Sequence, residues 1–300
     1  MAVSIREGDV DDIAAATALV NEIDRTRVST VAGARHRLLQ APPEARRNWW
    51  AARDGETLVG WGTAGIDHDT TARSGYLNVS VLESQRRRGI GAALLERALA
   101  HLGDSARIQA SATEAGRGFA ERYGFRHTHT RRMSGVDPRT VDTGELETAE
   151  ARTASLLEVG PEQTFAVDAE SVVDQPGDDP IDAVGYKQWL VDHWAFPDYD
   201  LELSRAAVVD RRAVAVTFVI VDRGSRRALN AYTGSLRAYR GRGFARLAKL
   251  DLLRLLAELG FELVLTENDE TNAAMLAINN RLGYTPIESR YSYILDRRPE

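Results

Sequence analysis

One short pattern occurs twice in this chain, and it constrains the fold more than any other feature. The first copy, inside Val79 to Leu95, reads Gln85-Arg86-Arg87-Arg88-Gly89-Ile90-Gly91-Ala92. The second, inside Thr233 to Leu247, reads Tyr239-Arg240-Gly241-Arg242-Gly243-Phe244-Ala245-Arg246. Arg86 and Arg240 lie 154 positions apart, as do Gly89 and Gly243. Gly124-Phe125 follows Gly89 by 35 residues, and Gly283-Tyr284 follows Gly243 by 40. Two marks in the same order at similar spacing describe a duplicated unit of about 150 residues, each copy large enough for its own core. The expected boundary falls after residue 138, giving an N-terminal domain of residues 1–138 and a C-terminal domain of 139–300. The linker is expected between Met133 and Leu146, where Gly135, Asp137-Pro138 and Gly144 interrupt any periodicity.

The coarse reading of each half is the same: strands, a helix, a strand, a helix and a last strand. In the first half, Val3 to Arg6 reads as a strand and Asp9 to Ile23 as a helix. A hairpin turns at Asp54-Gly55, and Tyr76 to Leu82 is a further strand. Ile90, Leu94, Leu95, Ala98, Leu99 and Leu102 then form a stripe at helical spacing. In the second half, a hairpin turns at Asp210-Arg211-Arg212, Ala228 to Leu236 is a strand, and Phe244 to Leu259 is a helix closed by Gly260. The fold class is α/β (α+β), each domain a mixed, mostly antiparallel sheet flanked by helices.

Composition narrows the function. Hydrophobic residues are 43% and charged residues 27%, enough for two cores. No run approaches the roughly 20 apolar residues a membrane span needs, and the N-terminus carries no secretory signal, so the expected location is cytoplasmic. There is no cysteine, which excludes disulfides, thiolate metal sites and a cysteine nucleophile. None of the six histidines makes an HxxxH or HExxH pair, so no metal is expected. A net charge of -6 argues against a nucleic-acid partner. Oligomeric state is left open.

A strand, an Arg/Gly turn and an amphipathic helix in succession make an anion site. Glycine lets the backbone turn tightly, and the first helical amides lack internal partners, so they face outward with partial positive charge. Neither copy is a P-loop or a dinucleotide fingerprint, since GxxxxGK[ST] and GxGxxG are both missing.

At these turns the chain resembles the GCN5-related N-acetyltransferase superfamily, whose acyl-CoA signature is Arg or Gln, two residues, Gly, one residue, then Gly or Ala. Arg86-Arg87-Arg88-Gly89-Ile90-Gly91 and Arg240-Gly241-Arg242-Gly243-Phe244-Ala245 both match it. Tyr123-Gly124-Phe125 and Leu282-Gly283-Tyr284 resemble the family's closing element. The resemblance covers both halves, as in the tandem members typified by mycothiol synthase.

It implies an acetyl-CoA-dependent N-acetyltransferase acting by direct transfer to a primary amine of a small molecule. The alternative is a non-catalytic acyl-CoA-binding protein, and a more distant one is an aminoacyl transferase using charged tRNA. The resemblance implies that Val79, Ser80 and Val81, and Thr233, Gly234 and Ser235, pair with the pantetheine arm. The amides of Arg87, Arg88, Gly89, Ile90, Gly91 and Ala92, and of Gly241, Arg242, Gly243, Phe244, Ala245 and Arg246, would hold the pyrophosphate. Asn272 stands where the family places an asparagine near the thiol, while the first half has Ser111-Ala112-Thr113-Glu114 there. The C-terminal domain is therefore favoured as catalytic.

Glu267 is the candidate base for the amine. Many members carry a general-acid tyrosine four residues before the closing glycine; here Ala120 and Asn279 stand at that position. Asn279 joins Glu267 as a catalytic candidate by place alone, because an amide is no general acid. Tyr232 is a further candidate. From Glu158 to Glu202 there are twelve carboxylates and one lysine, Lys187. Tyr186, Trp189, His193, Trp194 and Tyr199 lie there among Asp192, Asp198 and Asp200, which reads either as a site for a cationic amine or as a solvated acidic surface over packed aromatics.

Overall fold

The computed structural model describes residues 3–68, 70, 72–142, 144, 150–182 and 184–297. The chain forms two compact units. One contains residues 1–130 together with 290–300, and the other contains residues 131–289.

In the N-terminal unit, β1 (Ser4–Glu7) precedes α1 (Asp12–Ile23) and α2 (Val31–Leu39). β2 (Asn48–Asp54) and β3 (Thr57–Ile66) form the hairpin, followed by β4 (Gly75–Val81), α3 (Ile90–His101), β5 (Arg107–Ala112), α4 (Arg117–Arg122) and β6 (Arg126–Val136). In the C-terminal unit come β7 (Arg152–Ser155), α5 (Leu156–Val159), α6 (Pro161–Val172) and α7 (Tyr186–Trp189), which runs into a wide turn at Leu190–Trp194. The series ends with β8 (Arg205–Val209), β9 (Arg212–Asp222), β10 (Arg227–Ser235), α8 (Phe244–Glu258), β11 (Leu263–Asp269), α9 (Ala273–Arg281) and β12 (Thr285–Asp296).

Each unit is built around one mixed sheet. The N-terminal sheet runs β1-β2-β3-β4-β5, antiparallel except for β4 with β5. The C-terminal sheet runs β7-β8-β9-β10-β11, again with one parallel pair, β10 with β11. Alternation of side chains along β2 sorts the two faces. Trp50 and Ala52 pack with the core of α3, while Ala51 packs with Ala16 and Leu19 of α1.

The last strand of each sheet comes from elsewhere in the chain. Tyr291 to Asp296 of β12 pair antiparallel with Ala112 to Arg107 of β5. Arg131 to Val136 of β6 pair antiparallel with Asp269 to Val264 of β11. The contacts thus do not divide after residue 138, and the N-terminal unit recovers its last strand from the C-terminal end of the chain. Gly135 is not an interruption, because β6 runs straight through it. A Cβ there would stand 2.6 Å from Ile287 Cδ1 and 2.9 Å from Leu263 Cδ1, so a larger residue would push those two side-chain ends aside.

Candidate functional site

Both units bring the same three parts together. First, the parallel strands separate. In the N-terminal unit the pairing of β4 with β5 ends at Leu77–Ala110, although β4 continues to Val81. In the C-terminal unit β10 and β11 part after Asn230–Thr266, although β10 continues to Ser235 and β11 to Asp269. A gap between strands leaves backbone groups that a bound chain can satisfy. Val79, Ser80 and Val81 lie on one such free edge, and Thr233, Gly234 and Ser235 on the other.

Second, the Arg/Gly turn closes each gap in the same way. Arg86 Nε donates to Val81 O at 3.3 Å, and Arg240 Nε donates to Ser235 O at 3.4 Å. The first arginine of the motif thus clamps the carbonyl that ends the separated strand. Leu82 N bonds Val59 O and Leu236 N bonds Val214 O, each at 3.0 Å.

Third, each helix starts on a left-handed glycine. Gly89 has φ +83° and Gly243 has φ +85°, and neither α3 nor α8 has a side-chain cap. A Cβ built on Gly89, Gly241 or Gly243 meets nothing within 4 Å. Uncapped amides facing open space fit the pyrophosphate of a coenzyme A derivative. Ile90 and Phe244 are buried in the cores, so only their amides serve such a role. A Cβ built on Gly91 would stand 3.4 Å from Phe119 Cε2, and Ala92 and Ala245 are half-buried in the first helical turns.

The charges around the turns differ. In the C-terminal unit Arg237 and Arg240 both donate to Asp174 at 2.7 Å, holding that carboxyl down at about 2. Arg242 pairs with Glu150 at 2.9 Å. In the N-terminal unit Arg88 donates to Gln85 and lies 3.7 Å from Asp54. Among the described residues its turn therefore has fewer paired arginines.

The predicted C-terminal catalytic residues surround the β11 side of the gap. Glu267 pairs with Arg131 at 2.8 Å. Asn279, buried in α9, donates Nδ2 to Asn268 Oδ1 at 2.6 Å. Asn272 caps α9, its Oδ1 accepting from Met275 N at 3.2 Å. On the β10 side a bulge between Asn230 and Tyr232 leaves Ala231 out of register with β9. Thr233 Oγ1 lies 2.8 Å from Thr217 Oγ1.

Sequence reasoning missed Lys249. It is 1% exposed on α8, donates to Asn230 Oδ1 beside the bulge and lies 5.2 Å from the centre of the Tyr284 ring. Burial pushes its ammonium down to about 7. A lysine inside the apolar stripe of a helix was the available signal.

The aromatic segment of the C-terminal unit is packed. Trp189 is 1% exposed and donates Nε1 to Asp168 Oδ2 at 2.6 Å, with Phe165, Tyr186, His193 and Trp194 around it. Tyr232 OH lies 2.6 Å from Ser171 Oγ. Burial raises the Asp168 carboxyl against the pull of His193 and Trp189, and burial and Asp168 raise the Tyr232 phenol. A Cβ on Gly234 would stand 2.1 Å from Ser171 Oγ, so α6 lies directly on β10. Asp198 is buried, Asp192 accepts from Gln188 at 2.9 Å, and Asp200 pairs with Arg223 at 2.6 Å and accepts from Leu203 N.

The equivalent face of the N-terminal unit is open. A cavity of about 210 Å³ lies among α1, α2, β3 and β4, reaching Asn78, the first residue beyond the last parallel pair. Among the described residues no cluster of His, Asp and Glu forms a metal site, and no helix is long and apolar enough to cross a membrane.

Residues 45–127 match the acetyltransferase (GNAT) domain family. No curated protein sequence matches the chain. Among solved structures, a tandem GNAT protein from the clavulanic acid biosynthesis pathway superposes with a TM-score of 0.76 at 20% identity, covering 100% of both chains. A GCN5-related N-acetyltransferase from Sphaerobacter thermophilus gives 0.73 at 13% identity, covering 99% of this chain and 96% of its own. N-myristoyltransferase from Saccharomyces cerevisiae, solved with myristoyl-CoA, gives 0.63 at 12% identity over 99% of this chain and 80% of its own. Residues 45–127 thus match a GNAT domain, and the chain as a whole has the fold of a tandem GNAT protein.

Proposed function

We propose that the protein is an acetyl-CoA-dependent N-acetyltransferase that moves the acetyl group directly to a primary amine of a small molecule. One observation carries the reading: in each unit the parallel strands part directly above a glycine-started, uncapped helix. The separated strand offers amide and carbonyl groups to the pantetheine arm, and the turn amides meet the pyrophosphate.

Transfer is assigned to the C-terminal unit because of the bulge. Ala231, out of register beside the gap, supplies the amide that receives the thioester oxygen as negative charge develops. Asn272 borders the thiol end. Glu267 accepts the amine proton, with Arg131 holding its carboxylate in place. The thiolate of coenzyme A leaves without a dedicated acid.

A specific observation favours a second placement, in the N-terminal unit. There the acceptor side is an open cavity, and among the described residues the turn has fewer paired arginines. The discriminating experiment is calorimetric titration with acetyl-CoA of the wild type beside Gly89→Glu and Gly243→Glu. A side chain at φ near +85°, with a carboxylate in an anion site, weakens binding about 50-fold or more at the altered turn. Loss of amine acetylation with Gly243→Glu alone supports the C-terminal assignment, and loss with Gly89→Glu alone reverses it. Binding without turnover on any amine leaves a non-catalytic acyl-CoA-binding protein. No binding in the wild type overturns the acyl-CoA reading.

A further inference from the structure

The C-terminal unit buries a charged group that the proposed transfer does not use. Lys249 of α8 is 1% exposed, and among the described residues no carboxylate pairs with it. Its ammonium lies 5.2 Å from the centre of the Tyr284 ring and donates to Asn230 Oδ1. A buried ammonium without a counter-ion is costly to folding, so packing alone would favour an apolar side chain. The N-terminal unit has one at the matching place. Leu95 stands six residues after Gly89, as Lys249 stands six after Gly243, and it is buried in the core of its unit.

The strands of the two units differ as well. β3 and β4 keep an unbroken register from Ile66–Gly75 to Gly60–Val81. β9 and β10 shift register between Asn230 and Tyr232, leaving Ala231 exposed while Asn230 is buried. The bulge accompanies the lysine, and the regular ladder accompanies the leucine.

Asn230 connects the two. Its Nδ2 lies 3.0 Å from Phe218 O, 3.2 Å from Tyr232 O and 2.6 Å from Thr217 Oγ1. Phe218 and Tyr232 are the first pair after the shift, so this amide spans Ala231 and ties down the strand beyond it. An amide can hold carbonyls only with its nitrogen toward them. An ammonium has donors alone, so Lys249 takes Oδ1 and fixes that orientation. Thr233 Oγ1, at 3.3 Å, is a weaker second donor to the same oxygen. Without the donor from α8 the amide can turn over, and its oxygen would then face two carbonyl oxygens.

We infer that Lys249 is a positioning residue: through Asn230 it holds the β10 bulge that presents the Ala231 amide to the thioester. This role rests on the transfer proposed for the C-terminal unit, whereas the bulge itself can be observed without turnover.

The test compares Lys249→Met with Lys249→Gln in the full chain. The two new side chains match in length, and only the amide keeps an N–H for Asn230. Lys249→Leu, the choice of the N-terminal unit at this place, stands in should circular dichroism show that Lys249→Met does not fold. The first readout is nuclear magnetic resonance of labelled protein without ligand. The Ala231 amide and Cα resonances move in Lys249→Met and return toward their wild-type positions in Lys249→Gln, while those of Ser235 stay. The second readout is kinetic. In Lys249→Met the kcat of amine acetylation falls about tenfold or more with the acetyl-CoA dissociation constant unchanged, and Lys249→Gln recovers it. Asn230→Leu gives the same loss, and adding Lys249→Met to it costs nothing further. Unmoved Ala231 resonances in a folded apolar variant, no recovery with Lys249→Gln, a parallel loss of acetyl-CoA affinity or additive losses would overturn the inference. A wild type that acetylates no amine overturns the transfer reading instead, and the Ala231 resonances still decide whether the lysine holds the bulge.

Discussion

The two units keep the same donor turn and differ in what stands on the opposite face of the sheet. In the N-terminal unit α1 and α2 leave a cavity against β3 and β4. In the C-terminal unit α6 and α7 fill that face, with Asp168 and Trp189 packed beside Tyr232 of β10. The turn depends on a few local residues: two glycines and an arginine reaching back five positions. The opposite face depends on packing between distant segments, so it can change from open to filled while the turn stays the same.

Substitutions can sharpen this contrast. The largest effect is expected from Trp189→Ala. It opens a void in the C-terminal core and removes the donor that faces a buried carboxylate, at a cost of about 3–5 kcal/mol. Denaturant unfolding followed by tryptophan fluorescence and circular dichroism measures it. A cost below about 1 kcal/mol would mean that the face is only loosely filled.

Lys249→Met gives a smaller effect with a pH signature. The lysine is depressed from 10.5 to about 7 in the folded chain, so the unfolded chain binds the extra proton and stability rises with pH across that interval. Between pH 7 and pH 9 the wild type gains about 2 kcal/mol from this group. The variant loses that gain, which unfolding midpoints at the two pH values report. An identical pH slope in both proteins would show that the ammonium is solvated, and that Asn230 and the bulge stand without it.

The smallest effect belongs to Tyr232→Phe, which deletes the contact with Ser171 at about 1 kcal/mol and leaves the ring packing intact. Should amine acetylation also fall while acetyl-CoA binding stays constant, the phenol would belong to the transfer step in addition to the filled face.

What was legible in the sequence follows the same division between local and distant. The turns at Gly89 and Gly243 were readable because Gly, Arg and an apolar stripe adjoin one another, and the structure puts helices at Ile90–His101 and Phe244–Glu258. The hairpins at Asp54-Gly55 and Asp210-Arg211 were readable from their turn residues, and Gly55, Asp210 and Arg211 all have positive φ. α2 and the α5 to α7 region passed unnoticed, since their apolar positions serve partners far along the chain. Trp189 illustrates the difficulty: beside Asp192 and His193 it resembles a binding surface, yet its neighbours Asp168 and Phe165 come from α6. Glu267 lies on β11 where it parts from β10, and its partner Arg131 belongs to a strand read as part of the other domain. The strand exchange was invisible for a related reason. β6 and β12 are each a single unbroken strand, and nothing in their alternation says where one sheet's claim on them ends.

That exchange sets an order on how the protein is made. The strand beside β5 is Tyr291 to Asp296, so a nascent chain carrying the first 130 residues has every helix of the N-terminal unit and still lacks one edge of its sheet. The C-terminal unit has the reverse history, for its borrowed strand, Arg131 to Val136, is synthesised before any other part of it. The N-terminal unit, begun first, is therefore finished after the C-terminal one, and its exposed β5 edge must stay unpaired until the ribosome has delivered Tyr291 to Asp296.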